Sequence, residues 1–175
     1  MELDPAEIRR HLDEARRAPT ADAQGKTYEE LVAYLFGLVP RANVRRNIIG
    51  PFKVEQIDVA VGHPRTDLHQ LPHSFLIECK NWTRPVDSMT VGYFFNILAN
   101  RNMELGILVA ANGITSSDDD IKFAHALGMS AMPRGHRMIV ITDADLLSLR
   151  TMDDFYDMLN DRFLMTMATG TIGMP

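Results

Sequence analysis

Two apolar runs constrain this chain more than any other feature. Leu105-Gly106-Ile107-Leu108-Val109-Ala110-Ala111 is almost unbroken, and Arg137-Met138-Ile139-Val140-Ile141-Thr142 nearly so. Each is far short of the roughly 20 apolar residues that a membrane span needs. They read instead as strands buried on both faces, the condition of a parallel sheet covered by helices. A helix-length segment precedes each run. Asp87 or Ser88 can cap a helix reaching to about residue 102. Ser116-Ser117 can cap a second over residues 118–127, where Asp118, Asp119 and Asp120 suit the helix dipole and Gly128 supplies an end. Strand, helix, strand in this order predicts parallel crossovers.

Upstream the pattern changes. Residues 5–17 predict a charged helix capped by Asp4 with Pro5 at its first position, and residues 26–38 a second helix burying Tyr28, Leu31, Val32 and Leu35. Residues 43–49, 53–61 and 73–80 then read as three strands; Gly50-Pro51 closes the first, and a polar loop from Gly62 to Pro72 separates the others. Short connections predict an antiparallel meander. A final helical region is expected over about residues 144–165, with a frayed tail from Ala168 to Pro175. The expectation is an α/β fold in which a central mixed sheet, antiparallel meander first and parallel crossovers after, is flanked by helices.

The third strand carries the chemistry. Ser74-Phe75-Leu76-Ile77-Glu78-Cys79-Lys80 takes two opposite charges near its end, and period two puts Glu78 and Lys80 on one face and Cys79 on the other. Asp58 interrupts the apolar Ile57-Asp58-Val59-Ala60-Val61 in the same way. Charges enter such strands when they are paired or coordinate something. If the two strands pair, their carboxylates converge and repel unless a cation lies between them. Oxygen-only ligands suit Mg²⁺, with Mn²⁺ as a substitute, and the backbone carbonyl of Cys79 is a candidate third ligand. Lys80 would then sit protonated beside a metal-bound water and a phosphate. A plain surface salt bridge is the competing reading of Glu78 and Lys80.

Composition sets limits. The net charge is −5, which argues against a large DNA footprint. The excess is local: residues 1–101 hold 13 basic and 13 acidic side chains, residues 102–175 hold 5 and 10. One cysteine rules out an intrachain disulfide and makes a reducing, cytoplasmic compartment the default; no secretory signal or membrane span is expected.

In order along the chain, Gly25-Lys26-Thr27-Tyr28-Glu29-Glu30-Leu31-Val32, Gln56-Ile57-Asp58-Val59, Ile77-Glu78-Cys79-Lys80, Arg84-Pro85-Val86, Gly106-Ile107-Leu108-Val109 with Asn112-Gly113-Ile114-Thr115, and Asp145-Leu146-Leu147-Ser148-Leu149 resemble the motifs of Mrr-type restriction endonuclease domains of the PD-(D/E)XK superfamily. The resemblance implies a restriction-endonuclease-like fold over residues 25–150, between an N-terminal helix and linker (1–24) and a C-terminal helix and tail (151–175). It implies Mg²⁺-dependent DNA cleavage, with Asp58 and Glu78 as metal ligands, Lys80 beside the attacking water, and Glu29 reaching the site from the opening helix, Glu30 competing for that role. Glu55-Gln56 stands where many Mrr domains carry Gly-Gly, and Glu78-x-Lys80 where many carry Gln-x-Lys. A role in restriction or defence against foreign DNA follows; a repair or junction-resolving nuclease and an inactive DNA- or protein-interaction module are the alternatives. Duplex cutting needs two sites, so a homodimer or a partner subunit is expected.

Arg41, Arg45, Arg46 and Lys53 could contact phosphates or guard an edge strand. Trp82 and Arg84 could line a DNA cleft, or Trp82 could pack in the core. Gln56 could support Asp58. His63, His69 and His73 do not have a zinc spacing and read as loop residues.

Overall fold

The computed structural model describes residues 2–50, 56–115 and 117–174. Two helices open the chain. Asp4 caps α1 (Pro5–Arg17) by accepting from the Ala6 N–H at 2.8 Å, and Thr20 caps α2 (Ala21–Gly37). The second helix starts five residues earlier than the sequence suggests, because Thr20 supplies a cap that the apolar periodicity does not reveal.

One five-stranded sheet follows, in the spatial order β1 (Asn43–Ile49), β2 (Gln56–Gly62), β3 (Ser74–Lys80), β4 (Leu105–Ala110), β5 (Arg137–Ile141). The first three strands are antiparallel, and the last three parallel. The mixed sheet is thus the one the sequence predicts. The parallel crossovers run through α3 (Ser88–Asn100) and α4 (Asp118–Ala131). Both lie on one face of the sheet, where Val91, Phe94, Leu98 and Ala124 pack on Leu76, Leu108 and Val140. The other face is covered by α1, α2, α5 (Asp143–Ser148) and α6 (Met152–Thr169), through Ile8, Leu12, Tyr28, Leu35, Leu146, Phe155 and Leu159. All six residues of β4 are buried, as a strand covered on both faces must be.

Three expectations fail at the C-terminal end. Gly128 does not end α4, which runs on to Ala131. A side chain at Gly128 would meet Ile172, so this glycine is where the tail packs against the helix. The tail itself is not frayed. After the left-handed Gly170, Ile172 is buried and Gly173 bonds both Met138 O (3.0 Å) and the Val140 N–H (2.8 Å), extending the sheet beyond β5. The final helical region is two helices, broken at Leu149, because Thr142 and Thr151 each form a separate capping box. Of the expected turn and cap residues, Pro51 and Ser116 lie outside the described residues, and Ser117 precedes α4 without a side-chain cap bond. No described helix is long and apolar enough to cross a membrane.

Candidate active site

The site forms where β2 and β3 part. Their ladder ends at the pair Val59↔Ile77, while β3 stays paired with β4 through Glu78↔Leu108 and Lys80↔Ala110. Beyond Ile77 the β2-facing edge of β3 therefore has no backbone partner from β2. Asp58 fills the place with its side chain: Oδ2 accepts the Cys79 N–H at 2.8 Å. The local break has a visible cause. Val59 packs with the α1/α2 layer and Ile57 with the α3/α4 layer, so β2 rotates at Asp58. Across from it on β1, Asn47 adopts a left-handed φ of 52°.

Period two then acts as the sequence predicts. Cys79 points into the α1/α2 core, and Glu78 and Lys80 share the opposite face, where Lys80 Nζ donates to Glu78 Oε1 at 2.5 Å. A residue's N–H and C=O leave a strand on the same side. The Cys79 carbonyl therefore faces the same notch as the Asp58 carboxylate.

Glu29 comes from α2 and is 7% exposed. Its Oε2 has no hydrogen-bond partner among the described residues. Burial, reinforced by the charge of Asp58 and then of Glu78, pushes its carboxyl up to about 7 against the pull of Arg46. Burial likewise raises Asp58, partly offset by the Cys79 N–H and Lys80. Glu78 is raised by burial and by Asp58. Desolvation pulls the Lys80 ammonium down, but Glu78 and Asp58 outweigh it and hold the amine charged. The electrostatics are those of three carboxylates crowded around one cation.

Other sequence candidates scatter. Glu30, one residue on, turns outward and pairs with Arg46 at 3.3 Å, so helix phase places Glu29 and not Glu30 beside Asp58. Gln56 is exposed and donates to Asn47 Oδ1 at 3.1 Å, so it does not support Asp58. Arg41, Arg45 and Arg46 are exposed on and before β1, and Lys53 lies outside the described residues. Trp82 is not core packing: the residue is 36% exposed, with Lys80 Nζ and the Arg84 guanidinium each 5.7 Å from its ring centroid. His63 bonds Pro72 O at 2.8 Å and His73 approaches His63 O at 3.4 Å, so both close the β2–β3 connection. One contact was not legible in the sequence: Asn112 Nδ2 donates to Trp82 O at 2.6 Å, joining the loops after β3 and β4. Its only signal was the Asn112-Gly113 turn.

The restriction endonuclease family model of the Mrr catalytic domain matches residues 20–144. The chain belongs to this family. A comparison with curated proteins finds no match. The matched span runs from the cap of α2 into α5 and includes Asp58, Glu78 and Lys80. The Mrr segment does not hold the whole core, since α1 and α6 lie outside it and bury Ile8, Leu12, Phe155 and Leu159 against it. A nuclease-type domain is what membership establishes, and nucleases of the PD-(D/E)XK kind typically use divalent metals. The donor set fits such an ion. Among the described residues no three His, Cys, Asp or Glu side chains gather into a cage. A hard cation that keeps several waters needs only one or two carboxylates. Asp58, Glu78 and a backbone carbonyl supply that, and the raised carboxylates are what a cation would relieve.

Proposed function

We propose that this chain is a Mg²⁺-dependent DNA endonuclease acting in restriction or defence against foreign DNA. The observation that carries it is the notch at the end of the β2–β3 ladder, which gathers Asp58, Glu78 and Lys80 with the unpartnered Glu29 behind them. Asp58, Glu78 and the Cys79 carbonyl would hold the ion. Bound there, Mg²⁺ supplies an acidified water and a counter-charge for a phosphate oxygen. Lys80, held charged by Glu78 and Asp58, would orient the attacking water and offset the charge that builds on the scissile phosphate. Glu29, poised near neutrality, accepts a proton from the site or supports the water network. Arg41, Arg45, Arg46 and Arg84 hold the phosphate backbone. Two copies, or one copy and a partner subunit, cut the two strands of a duplex.

The test is cleavage of supercoiled plasmid with Mg²⁺ or Mn²⁺. Wild type should nick or linearise it, and EDTA, Asp58→Ala and Lys80→Ala should each abolish the reaction. Cleavage that survives both substitutions would put the chemistry elsewhere.

A further inference from the structure

Beside the catalytic notch lie two adjoining hollows of about 210 and 290 Å³, which share Gln24, Asn81, Trp82 and Thr83. They sit at the carboxyl ends of the parallel strands β3 and β4, where crevices in open α/β sheets bind ligands. The loops that form them are tied together. Asn112 holds the Trp82 carbonyl, and Val86 bonds Gly113 O (2.8 Å) and the Thr115 N–H (2.9 Å). The indole is thus presented by an anchored backbone.

We propose that this hollow receives a nucleobase turned out of its stack, next to the phosphate at Lys80, so that within a duplex the favoured cutting sites are locally unpaired ones and a single strand binds more tightly than an intact duplex. The proposal rests on the nuclease reading above and specifies its substrate. The stacking surface is Trp82, because an aromatic plane accepts any base face. Gln24 and Asn81 carry the donors and acceptors that read a base edge. The distance suits an adjacent nucleotide, since Lys80 Nζ lies over the indole, 5.7 Å from its centroid. A carboxylate in the hollow would repel the strand, but Asp143 is already engaged. It accepts from Tyr28 Oη at 2.6 Å and pairs with Arg16 at 3.4 Å. Arg84, also lining the hollow, adds positive charge for the backbone. A base inside an intact duplex has both faces covered by its neighbours, so it can stack on the indole only after it leaves its own stack.

Trp82 is the chain's single tryptophan, so tryptophan emission reports on this position alone. The experiment titrates the full chain, in EDTA, with fluorescein-labelled oligothymidylate and with a hairpin duplex of equal length, following tryptophan emission and anisotropy together. The expected result is quenching by oligothymidylate and tighter binding of the single strand than of the duplex. Trp82→Ala should weaken single-strand binding roughly 5- to 150-fold, Trp82→Phe should retain most of it, and duplex binding should change far less. Unquenched binding, equal affinity for both forms, or equal weakening of both by Trp82→Ala would overturn the proposal. Plasmid nicking separates the two readings. A protein that nicks but shows no quenching loses only the base hollow, whereas one that binds neither DNA form loses both.

Discussion

Two buried ion pairs in this domain have the same length and opposite character. Lys80–Glu78 and Arg162–Asp145 each measure 2.5 Å, with side chains 8–22% exposed. Asp145 is fully served: it accepts from the Thr142 N–H and hydroxyl as well as from Arg162, which also donates to Val140 O. Burial pushes the Asp145 carboxyl up, but these donors win and hold it below the usual carboxylate range. At Glu78 burial and Asp58 win, and the carboxyl is raised. The distance between partners therefore says little about what a pair does. The rest of the carboxylate's surroundings decide whether the protein is tied together there or left wanting a cation.

The largest expected effect is on the structural pair. Arg162→Met strands a buried carboxylate and should cost about 3–5 kcal/mol in urea unfolding; a loss under 1 kcal/mol would erase the contrast. Lys80→Ala should leave a folded protein whose plasmid cleavage falls by about 10²–10³-fold or more. Single-turnover rates on a fixed substrate measure this, and a loss explained wholly by reduced folded fraction would make Lys80 structural too. Glu78→Gln sharpens the comparison with a change of sign. It should abolish cleavage while leaving metal-free stability unchanged or higher by about 1 kcal/mol, as at sites where function opposes stability. A lower melting temperature would mean that Glu78 belongs with Asp145.

The smallest effect concerns pH. Glu29 has its folded pKa raised to about 7 from 4.5. For a raised pKa the favourable contribution is complete below the unfolded value and is lost as pH rises through the folded one. Without metal, Glu29→Gln should therefore be more stable than wild type near pH 8, and the gap should close as pH falls from about 7 towards 4.5. Asp145, with a lowered pKa, works the other way: its contribution is present above 3.8 and lost in stronger acid. Urea midpoints of both proteins across this range test the assignment, and a gap independent of pH would refute it.

Much of the fold was legible because its signals are local. Period two put Cys79 opposite Glu78 and Lys80, and the unbroken apolar run at residues 105–110 marked a strand buried on both faces. The failures share one cause, which is contact with distant chain. Gly128 reads as a helix end but serves the approach of Ile172, and the tail reads as frayed but pairs with β5. Gln56 has the right parity for the site, yet β2 rotates at Asp58 and leaves it beside Asn47.

For the site, the sequence by itself determined the residue types, their order and their strands, since charges set into apolar strands need a partner or an ion. Only the tertiary structure decided which of Glu29 and Glu30 faces inward, that Trp82 stands open beside Lys80, and that Asn112 holds it there. The reason is physical. Alternation along a strand is a property of adjacent residues, whereas burial, desolvation and hydrogen-bond partners are properties of where separate elements meet.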